Sequence, residues 1–511
     1  MNDLTISLDT SSSVPLYEQI YQHLKSEIQS GGLPFGKRLP STRNLANYLQ
    51  VSRTTVDMAY GQLMSEGYIE SKPCRGYFVC ELEGIYNLRR DMTEEKTTMR
   101  QEIRKPEYDF SPSGVDLNSF PFSIWRKLSK NILMADNKKV FQLGDPQGEY
   151  ELRVTIAEYL HQARGVPARP DQIVVGAGND FLLLLLCNML GTGRKIAMES
   201  PTYRKAYDLL SNLSNEMRLV RMDESGMRVD SLEASGADIA YVMPSHHFPL
   251  GIVMPVKRRM QLLEWAAGSD QRYIIEDDYD SEFRYRGKPI PALKGLDRDE
   301  KVIYIGTFSK SIAPAIRVSY LVLPERLMEV YRMRGRRISS TVSRVDQMLI
   351  ADFLNGGYYE RHLNKMRAVY KSRHDILMEE LKCFQDICTV SGENAGVHVL
   401  LTFHNGMTEE EAIRRAAGCG VGVYGLSRYF IDGKVFDRYF EEEQPGTSES
   451  CSHTVILGYA NVPEDAIREA VRMLRKAWMN DIAGDEKDMD DRHLRETGPE
   501  DRRDFDGTSE R

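Results

Sequence analysis

Apolar residues recur at Leu16, Ile20, Leu24 and Ile28 within PLYEQIYQHLKSEIQSG, the one-face spacing of a helix that stops at Gly31-Gly32. The stretch that follows reads LPFGKRLPSTRNLANYLQVSRTTVDMAYGQLMSEGYIESKPCRGYFVC. Ser41 is an N-cap for a short helix from Thr42 to Leu49, with Leu45, Ala46 and Leu49 turned inward. Gln50-Val51 makes a turn, and Ser52 caps a second helix whose inner face is Val56, Ala59, Tyr60 and Leu63. Gly67 closes that helix, and YIESKPCRGYFV predicts two short strands around a turn at Lys72 to Gly76. Two helices across a tight turn, followed by a small hairpin, predict a winged helix-turn-helix over residues 12–80.

The pattern then changes. Residues 81–107 are charged and weakly periodic, which predicts a linker. From residue 108 to about 480, short β-rich runs (QIVVGAG, KIAMES, IAYVMP, RYIIEDDY, VIYIGTF, VSYLVLP) alternate with helical stretches. That alternation predicts an α/β domain with a mostly parallel sheet and a site at the carboxyl ends of its strands. Long helical stretches such as LNKMRAVYKSRHDILMEELK, with fewer strands, predict a smaller lobe from about residue 325 onward.

Composition adds boundaries. The chain has 511 residues, 41% hydrophobic and 28% charged, enough for two or three domains. The first thirteen residues are polar and acidic, and the longest apolar run, FLLLLLC at 181–187, is too short to span a bilayer. The seven cysteines, at 74, 80, 187, 383, 388, 419 and 451, show no metal-ligand spacing, so free thiols and a cytoplasmic setting are expected, with no metal and no membrane partner. The net charge of −8 is uneven: from Asp481 onward twelve Asp/Glu stand against six Lys/Arg. An acidic, disordered tail is expected over residues 481–511, and the remainder is near neutral, which leaves room for a basic patch.

Candidate chemistry sits at both ends of this plan. On the second helix Arg53, Thr54, Thr55 and Asp57 lie outward near the N-terminus, together with its cap Ser52, where a recognition helix meets base edges. Arg43, Arg53, Lys72 and Arg75 are candidates for phosphate contact. In the α/β domain, Gly178 and Asn179 follow QIVVGA at a strand-to-helix turn, a seat for phosphate. Tyr203 follows KIAMES, Asp277 and Tyr279 end RYII, and Thr307, Ser309, Lys310 and Arg317 surround the end of VIYIGTF. A lysine in such apolar surroundings is costly unless paired or neutralised. A phosphate seat, a buried acid, a phenol, an aromatic face and a lysine together suit pyridoxal 5′-phosphate.

On these motifs GKRLPSTRNLANYLQVSRTTVDMAYGQLMSEGY resembles the GntR-type winged helix, and residues 108 to about 480 resemble fold-type I, class I/II aminotransferases. Over residues 12–480 the chain resembles MocR-type (GabR-like) regulators: a winged helix-turn-helix joined to a pyridoxal-phosphate-dependent transferase fold with a smaller C-terminal lobe. The resemblance implies Lys310 as the Schiff-base lysine, Asp277 on the pyridine nitrogen, Tyr279 on the ring hydroxyl and Tyr203 stacked on the ring. Gly178, Asn179, Thr307, Ser309 and Arg317 would hold the phosphate, and Arg428 in VYGLSRYF would grip an α-carboxylate. PSHHFPLG replaces the family's Asn-Pro motif, so Ser245 or His246 falls where an asparagine assists the ring oxygen. Lys205 stands where some relatives carry an arginine near the ligand. The resemblance also implies a homodimer, each winged helix resting on the partner's large domain.

Three functions follow from these readings. The first is a transcriptional regulator that binds duplex DNA and senses an amino acid, an amine or the cofactor itself. The second is an active aminotransferase with an attached DNA-binding module, and the third a DNA-binding protein whose second domain only dimerises. Retention of Lys310, Asp277, Tyr279 and Arg428 disfavours the third, and the complete winged helix favours the first, with turnover low or absent.

Overall fold

A computed structural model describes residues 6–9, 11–81, 106–134, 138–213, 215–284, 290–393, 396–431 and 453–479. Most of the expected linker and all of the expected acidic tail lie outside the described residues. The chain forms two compact units, divided near residue 103.

The first unit follows the hydrophobic pattern closely. Helix α1 (Leu16–Gln29), α2 (Thr42–Leu49) and α3 (Arg53–Ser65) precede the antiparallel strands β1 (Ile69–Lys72) and β2 (Gly76–Val79). Ser41 and Ser52 cap α2 and α3 by accepting from the N–H groups of Asn44 and Thr55, and Gln50 makes the turn in a left-handed conformation. Ile20, Leu24, Leu45, Val56, Leu63 and Val79 close one core. Two inward positions differ from the spacing: Leu16 and Leu49 are half-buried, while Tyr21 is buried in place of the former. The Tyr21 hydroxyl lies 2.7 Å from Glu66, which gives this phenol a polar partner and lets its ring enter the core.

The second unit begins with β3 (Tyr108–Asp109) and holds a seven-stranded sheet: β4 (Ile173–Gly176), β5 (Lys195–Glu199), β6 (Glu216–Val220), β7 (Ile239–Val242), β8 (Tyr273–Asp278), β9 (Val302–Thr307) and β10 (Ser319–Val322). Their spatial order is β4-β10-β9-β8-β7-β5-β6. All neighbours are parallel except β10, which runs antiparallel to both β9 and β4. Strands β7, β8, β9 and β10 are buried at every position, as expected of a sheet covered by helices on both faces. All six β-rich runs are strands. The seventh, β6 (EMRLV), lies at the sheet edge with Glu216 exposed, and its charged residues hid it from the apolar pattern.

The smaller lobe starts later than expected. Helix Glu325–Met333 packs Leu327, Met328 and Tyr331 into the core beneath the large sheet. The second sheet consists of β11 (Cys388–Ser391), β12 (His398–Phe403), β14 (Tyr424–Gly425) and β15 (Thr454–Gly458), in the order β11-β12-β15-β14 and antiparallel throughout. Strand β13 (Val421–Gly422) pairs in parallel with β3, so the chain around residue 108 also belongs to this lobe. Amphipathic spacing shows that a helix has a buried face without showing which sheet receives it.

Beneath the strand ends, Arg164 is buried and its Nε donates to Asp278 at 2.8 Å. Its Nη2 donates to Ser245 Oγ at 2.7 Å. Removing one partner of a buried pair strands the other charge, at about 3–5 kcal/mol. Arg164→Leu should therefore lower the unfolding free energy of the second unit by about that amount in urea titrations. A loss below about 1 kcal/mol would mean that Tyr304, which also donates to Asp278, suffices alone.

Candidate functional site

In the first unit the outward face of α3 is organised by its own cap. Ser52 Oγ lies 2.7 Å from Thr54 Oγ1 and 2.8 Å from Thr55 Oγ1. Thr54 is exposed and Thr55 half-buried. Arg53 and Asp57 pair at 3.4 Å, both exposed. Arg43 and Arg75 are exposed as well. Lys72 is exposed but engaged by Glu70 at 2.8 Å, with its Nζ 5.1 Å from the Phe78 ring centroid. The wing gains a third edge through a bridge between Arg38 and Phe78, which the sequence pattern did not indicate.

In the second unit, Asp277 lies at the carboxyl end of β8, fully inside the protein. The Tyr241 hydroxyl donates to its Oδ2, and Asn179 Nδ2 donates to Oδ1 at 3.3 Å. Both donors are neutral, and burial lifts the Asp277 carboxyl to about 7. Tyr241 is a member of the site that sequence reasoning missed, because an inward tyrosine inside IAYV reads as core. Asn179 was expected at the phosphate, yet its amide faces Asp277, which leaves the helix N-terminus it opens for an anion.

The anion seat is shaped by Gly178, whose φ is +87°. A Cβ there would lie 2.2 Å from Arg317 Nη2, so glycine admits the guanidinium over the helix start. Arg317 also pairs with Asp180 at 3.2 Å. Thr307 Oγ1 accepts from Ser319 Oγ at 2.8 Å and from the Ser309 N–H at 3.1 Å. Ser309 Oγ, Asn179 Oδ1 and His246 Nε2 are buried polar atoms with no hydrogen-bond partner among the described residues. Buried polar groups rarely stay unpaired without reason. Asn179 Oδ1 at that helix N-terminus beside the buried Asp277, Ser309 Oγ after β9 and His246 Nε2 on the imidazole beside Tyr279 form a set that suits a phosphorylated, aromatic, nitrogen-bearing ligand.

Lys310 follows β9, half-buried, with its Nζ 3.2 Å from the Pro112 carbonyl oxygen. Burial pushes its amine down to about 8, with Asp280 pulling the other way. The Tyr203 hydroxyl, pushed up to about 12 by burial, feels Asp277, Asp180 and Arg317, so the expected ring-stacking residue lies among the expected phosphate and nitrogen partners. Of the two candidates in PSHHFPLG, His246 has its Nδ1 2.9 Å from the Tyr279 hydroxyl and 2.9 Å from Asp280 Oδ2, whereas Ser245 is held by Arg164. Gly396 makes room for that imidazole, since a Cβ there would lie 1.9 Å from His246 Cε1.

Arg428 sits on the short turn Leu426–Tyr429, exposed, with its guanidinium carbon 5.7 Å from the Tyr424 ring centroid and no carboxylate partner among the described residues. This turn is docked on the strand-end segment that carries Tyr203. The Thr202 N–H donates to the Tyr429 carbonyl at 3.0 Å and Arg204 Nη1 to that of Phe430 at 3.1 Å. Lys205 is exposed, and it is its neighbour Arg204 that reaches the turn. A further residue missed from sequence is Phe248, whose ring touches those of Tyr203, Tyr279, His398 and Tyr429 at centroid distances of 4.9–6.3 Å. Among the described residues no group of three or more metal-ligating side chains occurs and no helix is long and apolar enough to cross a membrane.

Comparison with known proteins agrees with both halves. Residues 16–79 match the family described as bacterial regulatory proteins, gntR family, and residues 115–424 match aminotransferase class I and II. The HTH-type transcriptional regulator YhdI of Bacillus subtilis is 39% identical over 93% of this chain and 98% of its own. The probable rhizopine catabolism regulatory protein MocR of Rhizobium meliloti is 31% identical over 92% and 95%. The HTH-type pyridoxine biosynthesis transcriptional regulator PdxR of Corynebacterium glutamicum is 31% identical over 91% and 96%. Among solved structures, kynurenine aminotransferase of Pyrococcus horikoshii, in complex with PMP, covers 72% of this chain and 90% of its own at 25% identity and a TM-score of 0.62.

The depressed Lys310 amine has a measurable consequence for the ligand-free protein. Between about 8 and its ordinary 10.5 the unfolded lysine keeps a proton that the folded one has lost, so this residue's destabilising contribution fades as pH rises. Lys310→Met should raise the stability of the second unit at pH 7. Urea titrations across that window should find the gain shrinking; a gain that stays level or grows would mean that the amine is not desolvated.

Proposed function

Because the chain belongs to the MocR-type helix-turn-helix transcriptional regulators, whose GntR-type DNA-binding unit is joined to an aminotransferase class I and II domain, we propose that its second unit holds pyridoxal 5′-phosphate and uses it to sense a primary amine bearing a carboxylate. One observation carries the reading. Lys310, Asp277 and the three buried polar atoms without a partner among the described residues lie at the strand ends, while Arg428, on a turn docked beside them, pairs with no carboxylate among the described residues.

When bound, pyridoxal phosphate supplies an aldehyde carbon that condenses with primary amines. Asp277, surrounded by neutral donors, would gain a cationic N–H partner in the ring nitrogen, which favours its ionised form. Tyr279 would donate to the ring hydroxyl, with His246 and Asp280 fixing that phenol in place. Tyr203 would cover one ring face. Ser309, Arg317 and the helix N-terminus after Gly178 would hold the phosphate. Lys310, with its amine near 8, keeps a usable neutral fraction at physiological pH and so can act as a nucleophile. Arg428 would take the effector's carboxylate, a task for a planar, two-pronged cation.

We further propose that the protein acts as a homodimer. Residues 117–150 expose Leu117, Phe122, Leu133, Met134, Phe141 and Leu143, the last 90% exposed. A run of this size uncovered on a lone chain fits burial against a second copy. Sedimentation should give a dimer at micromolar concentration, and a monomer with full cofactor content would refute the assembly.

Two experiments separate the parts of the sensor. Borohydride reduction of the purified protein followed by peptide mapping should place the pyridoxyl group on Lys310, and Lys310→Ala should carry none. A label elsewhere overturns the cofactor assignment. Spectral titration with amino acids, run alongside a promoter assay, should find Arg428→Ala with cofactor bound but a response shifted to at least about tenfold higher effector, the scale of a lost charge-assisted pair. Wild-type response from that variant would remove Arg428 as the carboxylate anchor.

A further inference from the structure

Helix α3 buries Val56, Ala59, Tyr60 and Leu63. At 100° per residue the opposite side is the stripe Thr54, Met58, Gly61, spaced i, i+4, i+7, with Asp57 beside it. Met58 is 56% exposed in the middle of that stripe. Around it the first two turns present Arg53, Thr54 and Asp57, all polar and exposed. Single exposed apolar side chains are common on protein surfaces. This one is set apart by its place, directly opposite the core on the helix that a winged helix-turn-helix offers to the major groove.

Two neighbours sharpen the point. Gly61 is open, with nothing within 4 Å of where a Cβ would be, so the helix backbone can approach a surface closely one turn beyond Met58. Asp57 would repel phosphates if left alone, but it pairs with Arg53 at 3.4 Å. That pair holds the guanidinium against the first turn of the helix, on the flank next to the Met58 stripe.

Of all groups on the major-groove edges, the one apolar element is the 5-methyl of thymine. A long, unbranched, polarizable thioether adapts its shape to such a contact. We propose that Met58 reads the 5-methyl group of a thymine in the operator, next to the base pair that Arg53, steadied by Asp57, contacts through its guanidinium. This rests on DNA binding by the first unit and adds to it a residue and a base that the polar face alone would not specify.

The test uses the full-length protein and duplexes tiling the region upstream of its own gene, with protected sites located by footprinting. Thymines in the protected site are replaced one at a time by deoxyuridine, which deletes only the methyl group. At one position per recognition helix, the replacement should weaken binding about fourfold, the worth of one buried methyl. Met58→Ala should lose about as much on thymine DNA and lose nothing more on the uracil duplex. Met58→Leu should keep most of the affinity and the sensitivity to uracil. A protected site with no uracil-sensitive position overturns the inference and leaves DNA binding standing. So does a uracil penalty that persists undiminished in Met58→Ala, since another residue then touches that methyl. If no upstream duplex is bound specifically, DNA reading by the first unit fails, and the inference with it.

Discussion

Four buried acids, Glu276, Asp277, Asp278 and Asp280, crowd the end of the central strand β8, and the way each is compensated determines what the second unit can do. Side chains alternate across a strand, so they divide between two surroundings. Glu276 accepts from the backbone N–H groups of Leu293 and Lys294 at 2.7 and 2.8 Å. Asp278 has Arg164 and Tyr304, and Asp280 has His246. Asp277, like Glu276, receives only neutral donors, but its donors are side chains, a phenol and an amide, at the strand end. Burying a carboxylate without a cation is expensive, so this position is tolerable either protonated or beside a positive ligand. The surrounding sheet makes that choice unavoidable, because β7 and β9 wall the strand on both sides.

Lys310 presents the mirror-image problem. Its amine is pulled down by the same desolvation that lifts Asp277, and the two groups do not pair with each other. Each instead remains short of a partner. A ligand bringing a cationic nitrogen to one and an electrophilic carbon to the other would relieve both at once. An arrangement stable by itself would have joined the acid to the lysine. Keeping them apart costs stability in the ligand-free protein and reserves that free energy for binding.

How much of this was legible in the sequence depends on what each residue touches. The winged helix was readable almost to the residue, because its caps, turn and core lie close together in the chain and each signal confirms the next. The strand ends were readable because apolar runs stop abruptly at polar residues. Tyr241 was hidden inside such a run, and its hydroxyl acquires meaning only from Asp277, 36 positions away. The late start of the small lobe escaped for a related reason. Helix Glu325–Met333 has an apolar face that would suit either sheet, and only three-dimensional packing assigns it. Arg428 and Arg204 illustrate the limit in a different way. The sequence suggested Arg428 for a carboxylate and Lys205 for a place near the ligand, while the bond to the turn carrying Arg428 comes from Arg204, which no pattern singled out.

That turn is where a ligand's binding energy can become a signal. A ligand shifts an equilibrium only by its differential affinity for two arrangements, so something it touches must be able to change neighbours. The Arg428 turn is held on the large lobe by the Thr202 and Arg204 bonds, by the Ile431 N–H to Ser200 Oγ at 3.4 Å, and by Tyr429 against Phe248. The same short segment carries Tyr203, and Phe248 also touches Tyr279. Any ligand that stacks on Tyr203 at one end and draws Arg428 inward at the other therefore acts on one set of contacts from both sides. Among the described residues these contacts are mostly single hydrogen bonds, each worth about 0.5–1.5 kcal/mol. A gap of that size is small enough for one carboxylate–guanidinium pair to reverse, which makes the docked turn, more than the rigid sheet beneath it, the element on which an effector can act.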